Sequence, residues 1–420
     1  MLFLYNSGLI IFQLGIRIAA ALGNEKAKLW YIGRKDWKKK LLSYKKKPGP
    51  NYWMHCSSLG EFEQGRPLLE ALHASNPSST IFLSFFSPSG YEIRKNYAIA
   101  DVVTYLPIDG KQNAKTFIDI IQPDLVLFVK YDYWFHYLNE LNKRKIPVYI
   151  VSGIFRKSQH FFAWYGGFFR KMLLKINHFF LQDPDSGKLL KSIGIESFSI
   201  SGDTRFDRVS HTVRQNSSIP ALEMFKQNAT ILVCGSTWPG DEKIILSAFK
   251  RLKDAKLKLL IAPHNIDKGR IDELYGLTKK QIESSQVQLF SQADQKNLND
   301  CKILILDSIG QLANAYRYGS IAYIGGGFDK GIHNTLEAAA FGIPVVFGPR
   351  HSKFREAAGL IHAGAAFCVH NEEELSLIID TLSKQSSLMV GAGNAAKEYV
   401  KINSGATDKI LQLLIKSNNI

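Results

Sequence analysis

A chain of 420 residues is too long for one ordinary core and fits two domains of roughly 150–200 residues each, with a segment to spare. Hydrophobic residues make up 45% and charged residues 21%, with no long low-complexity tract, which excludes a disordered chain. A formal charge of +16 favours anionic partners, while four widely spaced cysteines with no CxxC pair exclude a disulfide framework and a structural zinc site.

Residues 2–22 are mostly apolar and about as long as the ~20 residues that cross a bilayer, although they include Asn6, Gln13 and Arg17. A basic run follows, in which Lys28, Arg34, Lys35, Lys38, Lys39, Lys40, Lys45, Lys46 and Lys47 face few acids. These cations come after the apolar stretch, unlike the basic start of a secretory signal, and by the positive-inside rule they keep the following chain cytoplasmic. Residues 1–47 therefore read as a membrane anchor with a polybasic segment, spanning the bilayer or lying in its plane, drawn to an anionic membrane surface. A buried first helix is the competing reading. Trp30, Tyr31 and Trp37 count against it, because aromatics among lysines suit the headgroup layer. The same clustering, with no recognised nucleic-acid motif, points away from nucleic acid.

From Asn51 onward one unit repeats: a short apolar run, a polar turn, a longer helical stretch. Predicted strands are Tyr52–Cys56, Thr80–Phe86, Val102–Leu106, Leu125–Val129, Val148–Val151 and Phe179–Leu181. Their lack of polar alternation marks strands buried on both faces of a parallel sheet, and helices such as Glu61–Ala74 and Trp134–Arg144 complete a doubly wound α/β layer. The rhythm stops near 203–229, and residues 210–228, polar around Ser217-Ser218, read as a linker. A second α/β series follows through Ile231–Cys234, Leu257–Ile261, Ile303–Leu306, Ile321–Ile324 and Val345–Phe347. Two such layers, over 48–209 and 229–420, are expected to face a cleft at the carboxyl ends of their strands.

Candidate chemistry sits where strands meet helices. Ser58-Leu59-Gly60-Glu61 puts a carboxylate at a helix start, where it can cap the helix or take a proton from an attacking hydroxyl; spacing alone favours the cap. Ser87-Pro88-Ser89-Gly90 places hydroxyls at the same sheet edge. Gly325-Gly326-Gly327, followed by His333, Asn334 and Glu337, makes an anion cradle opening into a helix, with the last three predicted on one helical face. This much glycine beside His-Asn implies a ligand, although the spacing fits neither GxGxxG nor a Walker loop. Gly235-Ser236-Thr237 suits a phosphate turn, with Arg205 as a cation to pair across the cleft.

In order, these runs resemble the 3-deoxy-D-manno-octulosonic acid (Kdo) transferases of lipopolysaccharide synthesis over nearly the whole chain. The likeness includes Ser58 to Glu61, Ser87 to Gly90, Leu106-Pro107-Ile108-Asp109, Gly202 with Arg205-Phe206-Asp207, Gly235 to Thr237, His333-Asn334-x-x-Glu337 and Phe341-Gly342-Ile343-Pro344-Val345. It implies a GT-B fold of two Rossmann-like domains, CMP-Kdo as donor, a lipid A precursor as acceptor, inversion, no catalytic metal and work at the cytoplasmic face of the inner membrane. By position it makes Glu61 the general base, with Ser58, Gly60, Ser87, Ser89 and Asp132 on the acceptor side in the first domain. The donor would meet Arg205, Gly235, Ser236, Thr237, His264, Gly326, Gly327, His333, Asn334 and Glu337, and the last helix of 229–420 can return to the first domain. The chain departs from the pattern at Lys130-Tyr131-Asp132, where the family has Glu-Thr-Glu, at Ala262-Pro263-His264, which lacks the family's arginine, and at Ile309-Gly310-Gln311 for Met-Gly-Glu. A GT-B enzyme using a UDP donor and a non-catalytic lipid-binding protein are the alternatives.

Overall fold

In the computed structural model, every residue is described except 216–217, 253, 255, 294–296 and 419–420. The chain forms two compact units, residues 1–208 with 404–420, and residues 209–403.

The first unit holds β1 (Asn51–Cys56), β2 (Thr80–Phe85), β3 (Val102–Tyr105), β4 (Leu125–Val129), β5 (Val148–Gly153), β6 (His178–Leu181) and β7 (Phe198–Ile200). They form one parallel sheet in the order β3-β2-β1-β4-β5-β6-β7. Its strands β2 to β5 are buried end to end, which is why their sequences are mostly apolar, with Thr80, Ser84, Thr104 and Ser152 as buried polar exceptions. Alternate β1 residues serve opposite layers: Trp53 packs with Phe117, Phe128 and Tyr137 on one face, while Met54 joins Phe62, Leu68 and Leu127 on the other. Full burial of each such side chain contributes about 1.5–3 kcal/mol.

The second unit repeats the plan with β8 (Thr230–Thr237), β9 (Leu257–Pro263), β10 (Val287–Leu289), β11 (Ile303–Ile305), β12 (Ile321–Ile324), β13 (Val345–Phe347) and β14 (Ala366–Cys368). Their order is β10-β11-β9-β8-β12-β13-β14, again with parallel neighbours. β7, β10 and β14 are edge strands of three residues each, too short to stand out in the sequence.

The stretch 210–228 is largely helical, carrying the end of the helix Arg205–Arg214 and the helix Pro220–Lys226. Residues 216–217 of that predicted linker lie outside the described residues. The last helix, Ala406–Asn418, lies in the first unit, where Ile410 and Leu414 join the Phe62 and Leu68 cluster. Asp207 holds its start, accepting from the Thr407 amide and hydroxyl at 2.7 Å each.

The N-terminal helix Leu2–Ala21 has no buried residue, so the buried-helix reading fails. One side is tied down: Tyr5 donates to Asp109 Oδ2 at 2.5 Å, His136 donates to Asn6 Oδ1 at 2.8 Å, and Phe12 packs edge-on to Trp30. The other side exposes Phe3, Leu4, Ile10, Ile11, Leu14 and Ile18, one apolar stripe at helical spacing. The expectation for the following aromatics is corrected. Trp30 and Trp37 are buried at 6% and 7% exposure, Trp30 under the Arg34 guanidinium and Trp37 in the Phe117 cluster. Arg34 is likewise no surface charge: it donates to the backbone oxygens of Trp30, Phe86 and Leu106, and burial lowers its pKa to about 9.

Candidate active site

In the first unit the site grows from the carboxyl ends of β1, β2 and β4. Ser58 occupies the N-cap position of the helix Leu59–Ser75 in extended conformation, and Glu61 stands in its first turn. The Ser58 hydroxyl donates to Glu61 Oε2, so the pair resembles a capping box in spacing while its bond runs side chain to side chain. A Cβ on Gly60 would meet only Ser58 Oγ at 3.7 Å, so neither crowding nor backbone conformation demands this glycine. Its missing side chain leaves the ground beside Glu61 open.

β2 brings Ser87 alongside: the Ser87 amide donates to the Ser57 carbonyl at 2.8 Å. The Ser87 hydroxyl caps the helix Pro88–Arg94, accepting from the Ser89 amide at 3.2 Å, and lies 2.9 Å from the Ser89 hydroxyl. Asp132, just beyond β4, is buried and accepts from the Ser57 hydroxyl at 2.5 Å. Burial is the first cause, and the Glu61 charge a further one, pushing its pKa up to about 7. His55 lies behind it with Nε2 at 3.7 Å from Asp132 Oδ2, a neighbour that sequence reasoning missed. Arg205 also belongs to this unit, where it pairs with the Asp203 carboxylate at 2.7 Å.

In the second unit, Gly235, Ser236 and Thr237 end β8. Ser236 has a positive φ of 54°, a strained conformation that turns the chain at the sheet edge. Thr237 is buried and donates to Glu242 at 2.9 Å, so its hydroxyl is committed internally. The glycine loop has a packing explanation that corrects the argument from ligand alone. Gly326 has φ +93°, and a Cβ on Gly327 would approach the Gly348 amide nitrogen to 2.5 Å. Asp241, missed in the sequence, braces this loop by accepting from the Gly326 amide at 2.7 Å, the Trp238 amide at 2.9 Å and the Tyr323 hydroxyl at 2.9 Å.

The shared helical face is corrected in part. The helix is only Leu336–Ala340, so His333 and Asn334 precede it. Asn334 does donate to Glu337 Oε1, at 3.0 Å, and accepts from the Leu336 amide at 3.1 Å. His333 turns instead to Trp238, whose indole donates to His333 Nε2 at 2.9 Å. His264 stacks on both rings, 4.4 Å from His333 and 4.8 Å from Trp238, and Lys330 stands over the indole at 4.6 Å. Burial, then the neighbouring His264, lowers the His333 pKa to about 4; burial, then Lys330, lowers that of His264. The signal for Trp238 was an aromatic wedged between Gly235-Ser236-Thr237 and Pro239.

Residues 35–208 match the family described as 3-deoxy-D-manno-octulosonic-acid transferase (kdotransferase). The chain is 26% identical to the 3-deoxy-D-manno-octulosonic acid transferase of Haemophilus influenzae over 87% of each chain. It is 29% identical to that of Rickettsia felis, covering 87% of this chain and 78% of the relative. Among solved structures, the UDP-GlcNAc 2-epimerase of Neisseria meningitidis aligns with a TM-score of 0.61 at 16% identity, over 87% of this chain and all (100%) of that one. MurG of Acinetobacter baumannii aligns at 0.54 with 15% identity, over 88% and 100%. These structural likenesses concern the fold.

Two parallel seven-stranded sheets of GT-B type, with these relatives, define a glycosyltransferase. Over most of its length the chain is similar to Kdo transferases, and the glycosyltransferase class sets aside the non-catalytic alternative.

Proposed function

We propose that this enzyme transfers Kdo from CMP-Kdo to a lipid A precursor with inversion, with Glu61 as general base. The observation that carries the proposal is the Glu61 carboxylate, held by Ser58 at the first turn of a helix and flanked by Asp132 through Ser57. The acceptor hydroxyl oxygen bonds to the anomeric carbon of Kdo, its proton passes to Glu61, and the bond to the phosphate oxygen breaks to release CMP. Single displacement inverts the centre and, as written, needs no metal. Ser58, Gly60, Ser87, Ser89 and Asp132 serve the acceptor. The donor is assigned to Gly235, Ser236, Thr237, His264, Gly326, Gly327, His333, Asn334 and Glu337, with Arg205 as the phosphate cation; Glu337, ordered by Asn334, suits ribose hydroxyls.

The exposed apolar stripe of Leu2–Ala21 supports work at the cytoplasmic face of the inner membrane, with the helix in the membrane plane because its opposite side is tied to the first unit at Tyr5, Asn6 and Phe12. Incubation with CMP-Kdo and a lipid A precursor, followed by the product's mass, tests the reaction. Competition of CMP against UDP separates it from a UDP-dependent transferase, and preference for UDP would overturn the donor assignment.

A further inference from the structure

His55 of β1 lies opposite Ser84 of β2 and is fully buried. Its Nδ1 is 3.1 Å from the Ser84 backbone oxygen and 2.8 Å from Ser84 Oγ, which also accepts from the Trp53 indole at 2.8 Å. A carbonyl oxygen can only accept, whereas the Ser84 hydroxyl can accept or donate, so the tautomer in which both contacts are hydrogen bonds is the one with the ring hydrogen on Nδ1, and it leaves Nε2 with a bare lone pair. That lone pair faces Asp132 Oδ2 at 3.7 Å, and among the described residues neither atom has a hydrogen-bond partner. Asp132 Oδ1 is already satisfied by Ser57.

Two buried acceptors facing one another are unfavourable unless a hydrogen lies between them. A second proton on the imidazole is opposed by burial, which takes His55 down to about 3, and by the positive charge of Arg34. A proton on the carboxyl is favoured by burial and by Glu61, against the hydrogen bond from Ser57 and the nearby Trp134 indole, which opposes it more weakly. The other groups facing the pair are Phe128 and Trp134 across the His55 ring, Tyr133 beside Asp132 and the buried Cys56 thiol, and none of these is a cation.

We infer that Asp132 and His55 form a buried acid–imidazole pair holding one proton on Asp132, with His55 the positioning residue that receives its hydrogen bond. This rests on the reading of Glu61 as the base. With Asp132 neutral, Glu61 takes the acceptor's proton without a second carboxylate charge at its side, and the anionic donor meets less repulsion. The pair's proton does not move in the transfer step. When Asp132 ionises, the added charge repels the donor's phosphate and carboxylate, so kcat/KM for the donor falls on the alkaline side with a midpoint near the Asp132 pKa of about 7.

The test is difference infrared spectroscopy of the full chain with carbon-13 aspartate, titrated from about pH 5 to about pH 9 around that midpoint. A protonated-carboxyl band is expected on the acid side, bleaching near the same midpoint and missing in Asp132→Asn. His55→Gln, which offers Asp132 an N–H donor in place of an acceptor, is expected to lower the midpoint by about one unit or more, a tenfold loss of proton affinity, and to move the kinetic limb with it. An ionised Asp132 at about pH 6, or an unmoved midpoint in folded His55→Gln, would overturn the pair. Nitrogen-15 shifts of the unmutated protein give a second reading: a neutral Nδ1–H ring is expected, and an imidazolium or an Nε2–H tautomer overturns the inference. Should the infrared results hold while CMP-Kdo gives no transfer at any pH, the proposed reaction fails and the pair stands.

Discussion

The Trp238 indole donates to His333 Nε2 at 2.9 Å, joining the helix start after β8 to the loop after β12. This bond needs a bare Nε2, so the ring must stay neutral with its hydrogen on Nδ1. Its pKa of about 4 lies below the ordinary value of 6.5, so the unfolded chain binds the proton more readily than the folded one. The second unit should therefore lose stability as pH falls from about 6.5 to about 4 and keep it above that window. Thermal melts across this range should show a shallower slope in His333→Phe; an equal slope would exclude His333 as its source.

Glu61→Gln should keep the Ser58 contact and the melting temperature while lowering transfer by about 10²–10⁴-fold or more. CMP binding, measured by calorimetry, should be unchanged. Turnover close to wild type would remove Glu61 from the mechanism.

Asp241→Asn replaces an acceptor of three hydrogen bonds with an amide that cannot accept all of them at both of its ends. The loop around Gly326 should loosen, with CMP affinity down by about tenfold and stability lowered by about 1–3 kcal/mol. Denaturant titration and calorimetry on one preparation would read both; wild-type affinity would show that the brace is dispensable.

Deleting residues 1–23 should move the protein from the membrane to the soluble fraction with a small fall in melting temperature, because the helix Leu2–Ala21 buries no residue but is tied to the first unit at Tyr5, Asn6 and Phe12. Deleting 1–47 should also lower stability, since Trp30, Trp37 and Leu41 are core residues. Membrane retention of the shorter deletion at high salt would sink the anchoring role of the helix.

The amino-acid sequence by itself determined the α/β class, most strand positions and the likeness to Kdo transferases. Strands buried on both faces must be mostly apolar, and the turns that follow them carry the runs from Ser58 to Glu61 and from Gly235 to Thr237. What only the tertiary structure decided is which residues meet. β1 and β4 are neighbours although Ser57 and Asp132 are 75 positions apart, so the Asp132 carboxyl reaches Ser57 and His55 only once strand order is set. The same holds for Trp238 with His333, and for Trp30 and Trp37, whose lysine-rich surroundings masked their burial. Local periodicity reports how deeply a segment is buried; the partner across the sheet, and with it the charge each side chain carries, is set by packing between segments far apart in the chain.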